Sequence, residues 1–278
     1  MQINLGETSI IEILPSLSEQ EIQNRISDQR MDAFGIGVRL MQRPRPSEIQ
    51  IAKSQKRYEP FWYGVAHAVY RYDRQSTQHV PVAPEVASVT LFDQEVPVKG
   101  ERIRAFSVDV VEHCVDDFRR YLMLDAETGE ERDYSRYMNF KTAPVEDLEA
   151  LQADDALVIY PEIKSSFVAG KLIQASIKSV QADKMEEERI DLEYLVLYYR
   201  PVYAYEYHWT TRDKRVVVEF DPLMNIFRTE GGQFKQQLRK VLANDTLFDI
   251  GADAIGTVVP GANLAVKLGR LAARKVVD

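Results

Sequence analysis

The chain reads as an α+β protein of two related lobes, each a helix packed on an antiparallel sheet, with a helical tail behind them. Three observations carry that expectation. The stretch Tyr199-Arg-Pro-Val-Tyr-Ala-Tyr-Glu-Tyr-His-Trp-Thr-Thr-Arg212 recurs in weaker form upstream: at one constant offset Tyr58 answers Tyr199, Pro60 answers Pro201, His67 answers His208 and Arg71 answers Arg212. A histidine matched to a histidine is informative in a chain with only 4 of them, and repeats are sought before any other feature. Both copies alternate with period 2, the pattern of a half-buried strand. From Gly231 onward the composition changes to small and apolar residues at helical spacing. The expected boundaries are residues 1–142 and 143–230 for the lobes and 231–278 for the tail.

Within the second copy Tyr203, Tyr205, Tyr207 and Trp209 share one strand face, while Val202, Ala204, Glu206 and His208 share the other. In the first copy Phe61, Tyr63, Val65, His67 and Val69 lie together, opposite Trp62, Gly64, Ala66, Ala68 and Tyr70. A leading proline suits the start of a strand. Arg212-Asp213-Lys214 turns the second copy into a hairpin partner, Arg215–Phe220, which Asp221-Pro222 ends. The first copy is followed by a polar stretch, Tyr72 to Gln78, expected as a turn, and by a strand from Val89 to Asp93.

In chain order, Ser9–Leu14 predicts a short strand closed by Pro15. Ser18 with Glu21 three positions on is a capping-box pattern that opens a helix reaching Phe34, with Gly35 as its stop. Arg102–Val111 alternates like a strand, and Arg120–Asp125 is a second, followed by a Gly129 turn. Pro144–Asp155 is acidic and predicts a solvated helix or linker. A helix from Tyr160-Pro161 to Val180 carries Ala169, Ile173, Ser176, Ile177 and Val180 on one face, and Lys184–Arg189 predicts a charged turn. The architecture so built is broadly cystatin-like.

Composition excludes several classes. A net charge of -8 and a pI near 5.2 leave no basic footprint for nucleic acid. One cysteine, Cys114, forbids an internal disulfide and suits a reducing, cytoplasmic setting. The first residues lack the basic and apolar regions of a signal peptide, and no long uncharged apolar run predicts a spanning helix. Neither Gly35-x-Gly37 nor Ala169-Gly170-Lys171 completes a phosphate-binding loop, and no G-x-S-x-G motif marks a serine nucleophile. No cofactor is expected.

Four candidate sites remain to be weighed. His67 and His208, with Glu206 on the face of His208, could converge about a pseudo-twofold axis as a metal site for a metal-dependent hydrolase. No HxH, HExxH or CxxC spacing supports it, and packed, hydrogen-bonded histidines explain the pair more simply. Glu112-His113-Cys114 beside Asp116 and Asp117 lacks the basic surroundings that activate a thiol. The tyrosine ladder could stack bases or sugars, but no basic residues interleave it, so core packing is preferred. In the tail Lys267, Arg270 and Arg274 form a basic stripe beside Leu264, Leu268 and Leu271. Such a face suits a protein partner, a second copy of the chain, or an anionic membrane surface. The expected function is therefore a non-catalytic intracellular binding or scaffold protein, self-associating or membrane-peripheral through that stripe, with the hydrolase as the alternative.

Overall fold

The computed structural model describes residues 1–229 apart from 7, 36–39, 41 and 42. It overturns the expected cystatin-like lobes of a helix packed on an antiparallel sheet. Strand accounts for 53% of the described residues against 18% for helix, and a mixed nine-stranded sheet carries the fold. Only two α-helices occur among the described residues, α1 (Glu19–Gln29) and α2 (Ser165–Ser176). The expected tail lies outside the described residues.

The reason lies in what the two aromatic stretches do. They belong to β3 (Ile49–Pro81) and β9 (Lys184–Trp209), of 33 and 26 residues, and these strands pair with each other instead of each seating its own sheet. Side-chain ion pairs show the direction: Glu59 meets Arg200, His67 meets Glu193 and Arg71 meets Glu187, so partner numbers fall as β3 advances and the pair is antiparallel. Glu59 and Arg200 stand 141 positions apart, which is the offset of the sequence repeat.

Along its other side β9 takes three partners in turn. β1 (Gln2–Leu5) and β2 (Thr8–Ile13) run parallel to it, with Gln2 opposite Arg189 and Thr8 opposite Leu195. β10 (Lys214–Asp221) returns antiparallel through the expected hairpin, Trp209 opposite Lys214 and Phe220 opposite Tyr203. β11 (Ile226–Thr229) closes that edge on β10, and β7 (Thr142–Pro144) pairs with β2. β6 (Ala105–Asp125) lies against β3, as does the short β8 (Leu157–Val158). A separate two-stranded hairpin is formed by β4 (Ser88–Leu91) and β5 (Gln94–Pro97).

By contacts the chain divides into two units, each assembled from separated stretches. The first comprises Met1–Gly6, Val65–Arg120 and Leu172–Glu193; the second comprises the described residues of 8–64, 121–171 and 194–229. In the second unit, α1 starts on the capping box expected from Ser18 and Glu21 and buries Ile22 and Ile26 against Tyr203, Tyr205, Tyr207, Trp209, Val218 and Phe220. The α1 stop comes earlier than predicted, at Gln29, and turns lead on to Gly35. A second cluster joins Ile13, Phe61, Tyr134, Tyr137 and Leu223. Trp62 and Tyr203 are 2% and 3% exposed, as the strand alternation requires. The Gly129 turn also forms: Asp125 accepts from the Glu127 and Thr128 amides at 3.1 and 2.9 Å, with Gly129 at φ 75°.

The first unit has a smaller core, with Ala68, Tyr70 and Ile190 fully buried. The Tyr70 hydroxyl donates to the Ser176 carbonyl at 2.9 Å and accepts from the Lys178 amide at 3.1 Å. Here three sequence expectations fail. Tyr72–Gln78 is not a turn but the continuation of β3, Lys184–Arg189 begins β9, and β6 is one strand of 21 residues. Paired charges explain it. Asp73 meets His113, Arg74 meets Glu112 and Thr77 donates to Asp109 across the strands, so polar residues on both faces are satisfied without a turn.

Candidate binding surface

The residues singled out from sequence fall in different places. His67 belongs to the first unit, with Nε2 2.7 Å from Asp117 and Nδ1 3.6 Å from Glu193. His208 and Glu206 belong to the second, and each has its own partner: His208 lies 2.8 Å from Asp213, and Glu206 accepts from Arg215 at 2.8 Å. Among the described residues no group of three or more His, Cys, Asp or Glu side chains is arranged to hold a metal. His113 contacts Asp73, and the Cys114 thiol lies 3.8 Å from the Glu112 carbonyl. Lys267, Arg270 and Arg274 lie outside the described residues.

Buried charge concentrates in the second unit. Glu59 accepts from Arg57 and from Arg200, both at 2.5 Å. Arg57 also reaches Glu219 at 2.6 Å, and Arg200 reaches Asp221 at 2.9 Å and the Tyr137 hydroxyl at 2.8 Å. Tyr137 in turn donates to Asp221. Burial alone would raise the Glu59 carboxyl, but Arg200 and Arg57 outweigh it and hold it below its ordinary value. Burial, with the Asp221 carboxylate, pushes Tyr137 up to about 12 against the opposing pull of Arg200. These groups satisfy one another, which is the condition for keeping charge inside a fold. Together they form an internal tie.

The tyrosine ladder of β9 is core: Tyr203, Tyr205, Tyr207 and Trp209 are at most 3% exposed. An open polar groove of about 430 Å³ runs beside it, lined by Glu19, Gln23, Ser54, Gln55, Lys56 and the edges of Tyr203 and Tyr205. Tyr203 donates to Glu19 at 2.8 Å, and Lys56 stands 3.9 Å from the same carboxylate.

Aromatic surface that is exposed occurs elsewhere in the second unit. Phe61 stacks on Tyr134 at 4.3 Å and on Tyr198 at 5.3 Å, and Tyr198 leads to Tyr63 at 6.4 Å. Beyond Tyr63 stand Tyr121 and Tyr194, 65% and 58% exposed. Tyr63 lies on β3, which pairs with β6, the strand of Tyr121, and with β9, the strand of Tyr194, and burial raises its hydroxyl, with Tyr121 and Tyr194 adding to the effect. The row thus runs from the core to two tyrosines that face solvent. Sequence reading missed it because Tyr121 and Tyr194 sit among residues that look like ordinary strand; their exposure follows from which strands flank β3.

In the first unit the β4–β5 hairpin turns through Phe92 and Asp93, both at positive φ (49° and 63°). Phe92 is 95% exposed. Comparison with family models, with curated proteins and with solved structures finds no match for this chain. No helix among the described residues is long and apolar enough to cross a membrane.

Proposed function

We propose that the chain is a non-catalytic binding or scaffold protein, and that the tyrosine surface of Tyr63, Tyr121 and Tyr194 is its contact face. One observation carries the reading: two large aromatics, more than half exposed on the strands that flank Tyr63, beside a stacked row that reaches the core. Tyrosine is enriched at the centres of protein interfaces because it offers large, rigid contact area with a polar end. A sheet holds such side chains in place before binding, which lowers the ordering cost of association. The buried ion pairs fit the same reading, since their carboxylates and guanidiniums are engaged with one another.

Self-association is the form of this proposal that purified protein tests. Sedimentation velocity over a hundredfold concentration range should show the parent chain associating and Tyr121→Ser/Tyr194→Ser remaining monomeric, with the melting temperature of the two alike. A parent that stays monomeric throughout would remove self-association. A double variant that associates as the parent does would remove the tyrosine face. The basic stripe of Lys267, Arg270 and Arg274 is a separate proposal on sequence alone: changing all three to Glu should weaken self-association or binding to anionic vesicles, and salt should imitate the change.

A further inference from the structure

The β4–β5 hairpin has a feature that its own folding does not need. A two-residue hairpin loop with both central φ values positive is the pattern of a type I′ turn, which favours Asn-Gly or Asp-Gly. Here the two positions are Phe92 and Asp93. Aspartate tolerates that conformation through local hydrogen bonding, but a bulky aromatic at positive φ is an outlier, because its Cβ crowds the backbone. Strain of this kind is kept where something else requires the side chain. Packing is not that requirement, since Phe92 is 95% exposed.

The rest of the hairpin is arranged to hold the tip. Val89 pairs with Val96 and Leu91 with Gln94, and Val89, Leu91 and Val96 are half-buried on one face. At the base the Val98 amide donates to the Ala87 carbonyl at 3.2 Å, and Arg104 donates to the Val86 carbonyl at 3.0 Å. Short anchored strands thus present one aromatic ring with acidic neighbours, Asp93 beside it and Glu95 two positions on, the latter accepting from Ser88 at 2.5 Å.

We infer that Phe92 is an anchor side chain that enters an apolar pocket on another protein, a pocket rimmed by basic groups that meet Asp93 and Glu95. The charges decide between occupants. Insertion into an anionic bilayer would bring two carboxylates against a negative surface, which electrostatics opposes. A basic protein rim gains from the same two groups through complementarity and faster encounter. A single desolvated aromatic at the centre of a contact supplies much of the affinity of such complexes. This inference is independent of the tyrosine face, which lies in the other unit.

Two measurements test it. Phe92→Gly removes both the ring and the strain, since glycine accepts positive φ. Its melting temperature should equal that of the parent or rise by about 2–4 °C; a fall of several degrees would show that the ring is structural and overturn the inference. For the partner, p-benzoylphenylalanine placed at position 92 is irradiated in the source cells, and the main adduct is identified and reconstituted from purified components. A complex weakened at least tenfold by Phe92→Gly, and again by Asp93→Lys/Glu95→Lys, supports the inference. Absence of an adduct overturns it, as does an adduct with a second copy of the chain. Retained affinity in the variants, or binding of the parent to vesicles of zwitterionic or anionic phospholipid that depends on Phe92, also overturns it.

Discussion

The two halves of β3 solve the same problem differently. From Tyr58 to Gly64 the strand lies in the second unit and is almost wholly apolar or aromatic, with Phe61 and Trp62 at 0% and 2% exposure. From Arg71 to Gln78 it lies in the first unit, and polar side chains meet polar side chains on its neighbours: Arg71 with Glu187, Asp73 with His113, Arg74 with Glu112, Thr77 with Asp109. Both are regular strand. The first is held by area removed from water, worth about 25 cal/mol per Å². The second is held by backbone ladder bonds, with exposed ion pairs that keep its side chains satisfied and add little. The comparison teaches that strand can persist through a segment whose composition resembles a loop, provided the neighbouring strand supplies complementary charge.

The largest expected effect comes from cutting into the aromatic half. Tyr203 sits in the α1 cluster and is 3% exposed, so Tyr203→Ala should destabilise the chain by roughly 3–5 kcal/mol in a denaturant titration. A loss well below about 1 kcal/mol, small against the usual cost of truncating a core aromatic, would show that the core does not depend on this row.

Next is the internal tie. Arg200→Met keeps volume but removes the cation shared by Glu59, which retains Arg57, and Asp221, which retains only neutral donors, and uncompensated buried charge costs about 3 kcal/mol or more. Arg200→Met with Glu59→Leu and Asp221→Asn should recover much of it. If the single variant melts like the parent, water reaches these groups and the tie is weaker than its geometry implies.

These two effects mark what the sequence made legible and what it did not. The aromatic alternation of Tyr203–Trp209, the β9–β10 hairpin and the capping box at Ser18 were readable because each depends on neighbours close in the chain. That β3 and β9 pair with each other was not, because period-2 alternation says which residues share a face and nothing about which strand lies alongside. The polar half of β3 was misread as a turn because its partners, His113, Glu112 and Asp109, are some thirty to forty residues away. Phe92 was misplaced by one step of the same kind: read as the end of a strand, it is the tip of a hairpin. The exposed tyrosines carried no local signal.

Acid should separate the halves further. Glu59 is held below its ordinary carboxyl value despite burial, by Arg200 and Arg57, and Asp125 is also lowered despite burial, through the Thr128 and Glu127 amides, Tyr134 and Arg132. A carboxyl whose folded pKa is depressed contributes stability that is present above its unfolded value and is lost as pH falls through the folded one. Denaturation midpoints should therefore be flat from about pH 7 to pH 5 and fall below about pH 4, the ordinary range for Asp and Glu. In a Glu59→Gln variant the whole profile should start lower, and its fall should be shallower. A profile parallel to the parent's would mean that Glu59 does not contribute to acid sensitivity.

The smallest effect is expected in the polar half, and it is the sharpest check of the comparison. Arg74 donates to Glu112 through Nε at 2.9 Å and through a second nitrogen at 2.5 Å, the best ion-pair geometry on this part of the strand, yet its side chain is 46% exposed. The Glu112 carboxyl is lowered, first by that hydrogen bond and then by Ser76, and Arg74 is raised by the same contact. Good geometry and pKa shifts of matching sign would ordinarily be read as a strong tie. Solvent at the pair argues otherwise, because water competes for both partners and salt screens them over about 8 Å at physiological ionic strength. Arg74→Gln should thus leave the melting temperature within error of the parent at physiological salt, and any loss seen at low salt should vanish as salt is added. Hydrogen exchange of the β3 amides from residue 71 to 78 supplies the second reading. Unchanged protection in Arg74→Gln would show that the backbone ladder holds the strand; a selective loss of protection there, with residues 58–64 unaffected, would show that the charges do, and the contrast between the halves would have to be redrawn.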